Sequence, residues 1–470
     1  MLLIADESKN GCMRGARALS RFKSDGLVKP APLRELDELA ELDRVIVIDY
    51  TRQRFLSGTS PNSRSRKFSN TLLKVLHLAA IYLRQGIVLQ MKSMQIEKVV
   101  NFPFPTPPER ESLKAAEKVS FQTRFRLTSL QLLEYLGALD KEHKVTPLGL
   151  SMSSFPLLPR YAKMIILGQQ FGNMPYLIAI VAGLSVGDPF LALSEVEGSS
   201  KGDDGEEEVS EKILSEEIRL RRKAFHESRA QFSALEPGCD VLKLLCAIGA
   251  YEGAGASDAF CEEKFLRIKT MKEIRKLRIQ ITSIINNQLS GIVAPVEFTS
   301  HLEPPTALQI RTIKQVVTAA YIDHLAIRSD LLDPTTTQLK AKETLRTPYS
   351  TMTCQVPSDE NWEVFIHPNS AMASLASPPS YVVYSDIRES QQTGRLRLVP
   401  LTPVLANDIE PLARGTSLIQ YSKPLNYPPP RVFTQDGVMQ REVHVHPRFG
   451  LHCKGWQLPQ IKRVERMARG

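Results

Sequence analysis

Several function classes leave no mark on this chain. No stretch reaches the ~18–20 apolar residues that a membrane-spanning helix needs. The best candidate, Leu72–Leu83, is broken by Lys74 and His77 and closed by Arg84. The opening MLLIADESKNG is interrupted by Asp6 and Glu7, so it does not read as a secretory signal. No membrane partner is expected. The six cysteines (Cys12, Cys239, Cys246, Cys261, Cys354 and Cys453) are scattered and form no CxxC pair. That spacing offers no zinc site, and in a chain this long a reducing compartment fits better than a disulfide framework. His444 and His446 share one face of a strand but have no cysteine or carboxylate companions, so they read as surface or structural. A phosphate-binding loop of the GxxxxGK type is missing, and so is a DEAH or DExx box to hold magnesium. There is no GxSxG elbow, HExxH or kinase-type loop. Glu206–Glu208 are like charges in one run, not a paired acid and base. The expectation is therefore no catalytic residues, no metal site and no cofactor in this chain.

What is present is a globular balance. Hydrophobic residues make up 42% of the 470 and charged residues 24%. The length suggests roughly three domains. The formal net charge is +9, which favours a polyanion such as nucleic acid.

Periodicity divides the chain. Residues 1–85 are unassigned: Arg44–Asp49 has the texture of a short strand and Leu72–Leu83 that of an amphipathic helix, joined by a polar, basic stretch expected to be poorly ordered. GIVLQMKSMQIEKVV has helical spacing from Gly86. Asn101–Glu109, NFPFPTPPE, reads as an extended strap, because proline removes donors and restricts its neighbours. A helix follows from Glu109 to about Lys118, then a second in LQLLEYLGALD ending near Gly137. HKVTPLGLSMSSFPL is expected to form a short hairpin and turn, completing a small winged-helix unit. Pro159–Leu191 reads as two packed helices split at Gly172–Pro175. The acidic, glycine-rich stretch 194–212 is expected to be a disordered insertion or surface loop. Helical pattern resumes at about Ile213 and runs to about Leu289.

Within it, Ile268, Met271, Ile274, Leu277, Ile281 and Ile284 mark a core face, with Lys269, Lys272, Arg275, Lys276 and Arg278 largely off it. Those cations are either a solvated surface or a phosphate-facing flank. After about Asp330 the pattern shifts to period two in WEVFIHP, SYVVYSDI and RLRLVPL, which suggests a small barrel, with an OB-fold as the natural candidate. From Pro424 the chain reads as a proline-rich tail with one more strand-like piece, EVHVHP.

Four stretches carry a resemblance. They are VLQMKSMQIEKVVNFPFPTPPERESL (Val88–Leu113), LLEYLGALDKEHKVTPLGLSMSSFPLLPRYAKMI (Leu132–Ile165), PYLIAIVAGLSVGDPFL (Pro175–Leu191), and VFIHPNSAMA with PPSYVVYSDIRES (Val364–Ser390). In this order, over roughly Gly86–Leu412, they resemble the C-terminal half of DEAH-box/RHA-type RNA helicases. LSVGDPFL, the acidic insertion and GWQLP look most like the subgroup acting in small ribosomal subunit biogenesis.

The resemblance implies an α+β multidomain chain. Its domains would be a winged helix over 86–155, a helical ratchet domain over 156–329, an OB-fold over 330–423 and an extension over 424–470. It implies that these modules close over single-stranded, pre-ribosomal RNA, gripped by its backbone. It also implies a G-patch-like or related activator protein as partner, and residence in the nucleus and nucleolus. Full-length relatives use ATP and magnesium. The RNA-contacting residues expected are Lys269, Lys272, Arg275 and Arg278 on the ratchet flank, with His367, Asn369 and Ser370 after the IHP turn, where Pro368 fixes the backbone. Tyr384 is expected in the core rather than as a stacking platform.

Two departures stand out. Residues 1–85 carry nothing like the second motor lobe that precedes the winged helix in the family, which suggests a fragment or unrelated upstream coding sequence, and no ATP hydrolysis by this chain alone. Val119–Gln131 interrupts the family pattern, either as a surface loop or as a translated intron. A protein-interaction scaffold that binds an activator or pre-ribosomal factor without RNA is the alternative function. A truncated, non-functional product is a third.

Overall fold

The computed structural model describes residues 129–155, 157–198, 208–288, 296–298, 301–332, 344–352, 363–390, 394–435, 438–450 and 455–466, with isolated positions between 86 and 94. The chain divides into two compact units, 1–120 and 121–470. In the first, Gly86, Leu89, Gln90, Lys92 and Ser93 are helical, within the stretch expected to be helix. The 44–49 strand, the 72–83 helix, the 101–109 strap, the 109–118 helix and most of the 119–131 insert lie outside the described residues.

The first described element of the second unit is α1 (Ser129–Tyr135), which buries Leu132 and Leu133, with Leu136 buried just after it. Gly137 closes it at φ 75°, in the left-handed region that glycine reaches without strain. The expected hairpin reduces to one bridge, Leu139–Val145. Beyond it the chain forms a helix instead, α2 (Pro147–Ser153). Thr146 caps α2 by accepting from Gly149 N at 3.0 Å, and Pro147 supplies a preset first turn. A Cβ at Gly149 would stand 2.0 Å from Ala138 O, so only glycine lets α2 pack here.

Helices α3 (Pro159–Gln170) and α4 (Met174–Val186) pair as the composition suggested, split at Gly172. α4 buries Leu177 through Gly183 without a polar side, and packs against α3, α7 and α9. The acidic insertion is helical at both described ends, contrary to expectation. Ser194–Gly198 belongs to α5 (Leu193–Gly198), and 208–212 begins α6 (Glu208–Phe232). The cause is local: Glu195 accepts from Ala192 N, and Val196 packs on Phe225 and Phe265. The helical layer continues with α7 (Asp240–Gly253), α8 (Asp258–Glu263), α9 (Ile268–Gln288) and α10 (Ala307–Ala320). α10 starts with a capping box between Thr306 and Gln309.

A 3-10 turn, Ile322–His324, then leads into a closed five-stranded barrel. Its strands are β1 (Leu325–Arg328), β2 (Pro348–Thr351), β3 (Val364–Ile366), β4 (Tyr381–Glu389) and β5 (Leu396–Val404), in the order β1-β2-β3-β5-β4. β3 and β5 run parallel and every other pair is antiparallel. The first strand precedes the expected boundary at 330, because the short apolar run LAIR follows the 3-10 turn directly. Tyr349, Val364, Ile366, Val382, Tyr384 and Leu398 fill the interior, so Tyr384 is a core residue as expected.

After α11 (Ala406–Ala413), the C-terminal part is more ordered than a proline-rich tail. Strands β6 (Ile419–Tyr421), β9 (Pro447–Phe449) and β10 (Trp456–Gln457) form one antiparallel sheet. Strands β7 (Arg431–Gln435), β8 (Val438–Val445) and β11 (Ile461–Arg466) form another.

A buried ion pair helps to fix the helical layer to the barrel. Arg160 at the start of α3 donates to both carboxylate oxygens of Asp323 at 2.6 Å and to Ala320 O at 2.8 Å. His324 stacks on Tyr384 with ring centroids 4.9 Å apart.

Candidate nucleic-acid interface

Helix α7 organises the residues that the sequence nominated. Its C-terminal end carries Glu252, which is buried beside α9. Arg278 Nη1 donates to Glu252 at 2.7 Å and Arg275 Nε at 3.1 Å. Arg278 is 3% exposed, and its guanidinium also lies over the Phe298 ring at 5.0 Å. The expectation that Arg278 lies off the core face is therefore corrected. Its position on α9 turns it towards α7, where a buried carboxylate compensates its charge. Burial holds the Arg278 guanidinium below its ordinary value, while Glu252 opposes that shift.

The rest of the flank is outward. Lys272 pairs with Asp258 at 2.8 Å, with both side chains about half exposed. Lys269 and Lys276 are exposed and Arg275 is half-buried. Exposed pairs of this kind exchange partners readily, so Lys272 remains able to meet a phosphate.

The N-terminal end of α7 carries Asp240 and Lys243, and it meets the turn after β3. Ser370 Oγ donates to the Asp240 carboxylate, and Ala371 N donates to Asp240 Oδ1 at 2.8 Å. Ser370 Oγ also accepts from Met372 N at 3.0 Å, capping the short turn Ala371–Ser374. Lys243 Nζ donates to Asn369 O at 3.2 Å and lies 4.6 Å from the Phe190 centroid. Burial pushes the Asp240 carboxyl up to about 6, against the pull of Lys243, Ser370 and Ala371. Burial likewise lowers Lys243, with Asp240 opposing.

His367 Nδ1 accepts from Asn369 N at 3.2 Å. Burial and the nearby Arg388 lower its pKa, so the ring is neutral at pH 7 with its proton on Nε2. Pro368 and Asn369 are exposed. His367 and Asn369 can thus offer Nε2–H and a side-chain amide outward, whereas the Ser370 hydroxyl is engaged in joining the barrel to α7.

The nominated residues thus fall into two stations at opposite ends of one helix. Twelve residues separate Asp240 from Glu252. At 1.5 Å rise per residue that is about 18 Å, the reach of a few nucleotides of extended strand. Asp240 and Lys243, which hold the barrel turn in place, were not singled out by sequence. The one available signal was an acidic residue in the first turn of DVLKLL. Among the described residues no group of three His, Cys, Asp or Glu side chains converges to hold a metal ion.

Residues 129–157 match the helicase associated domain (HA2), winged-helix, and residues 158–244 match the helicase associated domain (HA2), ratchet-like. The chain is 33% identical over 396 residues to PB1A10.06c of Schizosaccharomyces pombe, covering 82% of this chain and 30% of that protein. It is 33% identical over 413 residues to DHR1 of Saccharomyces cerevisiae, covering 82% of this chain and 31% of that protein. It is 33% identical over 393 residues to DHX37 of Homo sapiens, covering 80% of this chain and 30% of that protein. All three bear the name of ATP-dependent RNA helicase, and the chain spans under a third of their length. With two helicase-associated domains in series and this similarity beyond them, the chain belongs to the C-terminal region of the DEAH-box/RHA-type RNA helicases, in the group of DHR1 and DHX37.

Proposed function

We propose that this chain is the RNA-binding and regulatory module of an ATP-dependent RNA helicase that remodels pre-ribosomal RNA in the nucleolus. It grips single-stranded RNA by the backbone. Lys269, Lys272 and Arg275 supply phosphate contacts at one station, with Arg278 holding the helix that presents them. His367 and Asn369 supply donors at the other, with Ser370 fixing their turn. The observation that carries the reading is the single helix α7 that spans both stations and ties each by charged or polar side chains.

In this reading the domains are a winged helix over 86–155, a ratchet domain over 156–329, an OB-fold barrel and an extension over 424–470. The strand order β1-β2-β3-β5-β4 with β3 parallel to β5 supports the OB-fold assignment. In this reading the barrel domain begins with β1 at Leu325 rather than at 330. The second motor lobe, ATP and magnesium belong to the full-length helicase, and a G-patch-like or related activator is the expected protein partner.

The test is a salt titration of RNA binding by the 470-residue chain. Affinity falls steeply with salt, and Lys269→Glu with Lys272→Glu flattens the log–log slope by about 1.4, two phosphate contacts at ~0.7 each. Absence of salt-dependent binding contradicts the reading. One observation favours the scaffold alternative instead: Lys272, Arg275 and Arg278 already have carboxylate partners. Under that alternative the same charge reversals leave RNA binding untouched.

A further inference from the structure

The proline run before β7 is used by neither station. Leu425 N donates to His444 O at 2.8 Å, and β7 starts at Arg431. Between these two points, over residues 426–430, the chain makes no hydrogen bond to any described residue. Pro428, Pro429 and Pro430 are all exposed, and so are Asn426 before them and Arg431 after them. Tyr427 is 84% exposed, the highest value among the large apolar side chains described. Val432 and Met439 share one face of the β7–β8 pair and are exposed as well. Proline fixes φ near about −65°, and a residue that precedes a proline is steered to extended ψ. Pro428 and Pro429 meet both conditions, so the run is preset towards the polyproline II helix.

A structural role accounts for only part of this. β7 is an edge strand of the β11-β8-β7 sheet, and proline blunts such an edge against pairing. One proline is enough for that, and the edge has no need of a tyrosine in water. Contiguous exposed apolar surface marks an interaction site. A preset polyproline II segment loses little entropy on docking, and its rings fill grooves lined by aromatic side chains. Arg431 adds a charge to the motif. Its cross-strand neighbour Glu442 feels that charge but is bonded to Lys462 at 3.0 Å, so Arg431 can take an acidic partner from outside. The spacing selects the type of groove. Grooves that read PxxP need two prolines three positions apart. Pro424 lies four before Pro428, and the run itself is only Pro428, Pro429 and Pro430. A single slot that clasps adjacent prolines, as in WW domains, fits instead.

We infer that residues 427–431 are a docking motif for a partner protein carrying a WW-type domain. The aromatic slot of that domain clasps adjacent prolines of the run, Tyr427 extends the apolar contact, and an acidic side chain of the partner pairs with Arg431. The motif lies in the C-terminal extension, away from Lys272 and His367, and it works independently of the RNA grip.

The experiment passes the labelled 470-residue chain over an array of isolated WW and SH3 domains and measures each captured domain by titration calorimetry. Melting temperature, sedimentation of the chain alone and oligouridine affinity are recorded for every variant. At least one WW domain binds saturably. Pro429→Ala with Pro430→Ala weakens that binding at least about tenfold, and so does Arg431→Glu. Tyr427→Ser weakens it less, and Pro424→Ala, outside the run, leaves it unchanged. Oligouridine affinity is the same in all of them, which separates this motif from the RNA grip. The inference is overturned if no WW domain binds, if only SH3 domains bind, or if binding survives both the double-proline and the arginine variants. A concentration-dependent association of the chain with itself that Tyr427→Ser abolishes also overturns it, because the occupant is then a second copy. If the double-alanine variant melts earlier than wild type, Arg431→Glu and Tyr427→Ser, both at exposed positions, carry the decision.

Discussion

Two aspartates join the helical layer to the barrel, and their surroundings shift their pKa values in opposite directions. For Asp323, burial pushes the pKa up. The bidentate Arg160 and the adjacent His324 outweigh that, holding it down to about 2. Asp240 is enclosed by Ser370, Ala371 N and a lysine whose ammonium is turned to Asn369 O, and burial wins, pushing it up to about 6. A guanidinium fork meets both oxygens of a carboxylate and compensates its desolvation, whereas neutral donors compensate only part of it. The first joint is a permanent ion pair. The second is a hydrogen-bonded latch, and it lies in the turn expected to meet RNA.

The largest effect should come from breaking the ion pair. Asp323→Asn leaves Arg160 with a buried, unmatched charge and is expected to cost about 3–5 kcal/mol in thermal or urea unfolding. A change below 1 kcal/mol would erase the distinction. Next is Glu252→Gln, which strands the buried Arg278 and is expected to cost about 2–3 kcal/mol.

The pH profile sharpens the contrast, because the signs differ. Asp323 has a folded pKa below its unfolded one, so its stabilisation is present above about pH 4 and is lost as pH falls towards 2. Asp240 has a folded pKa above its unfolded one, so the fold binds the proton more tightly, and stability declines as pH rises from about 4 through 6. Melting curves from pH 3 to 8 should therefore show the 4–6 decline in wild type and lose it in Asp240→Asn. At pH 7.5 that variant should differ from wild type by less than about 1 kcal/mol, since its amide keeps an acceptor for Ala371 N. The smallest effect is Lys272→Ala, expected at under about 1 kcal/mol because its pair with Asp258 is exposed.

Local features were legible in sequence where local chemistry decides them. The α3–α4 split follows from Gly172 and Pro175. The period-two runs around Val364, Tyr381 and Leu396 became barrel strands. Failures came where a distant partner decides. Periodicity placed Arg278 off the core face because Glu252, on another helix, leaves no trace in that period. Ser370 looked available until Asp240, 130 residues away, was seen to engage it. The acidic stretch looked structureless by composition, but Val196 gives its first end an apolar anchor. α2 was missed because seven residues are too few to show a helical period, and its cap and Gly149 specify it instead. The C-terminal sheets were underestimated because proline clusters masked strands shorter than the pattern needs.

The central claim is that one helical layer and one barrel form a clamp that holds single-stranded RNA through its charge. It is tested most directly by the dependence of oligonucleotide affinity on salt for the unmodified 470-residue chain. The account predicts a straight log–log plot falling with salt, at about 0.7 per phosphate neutralised and so at least about 2 for three or more contacts. A flat plot, or no binding at low salt, would contradict it.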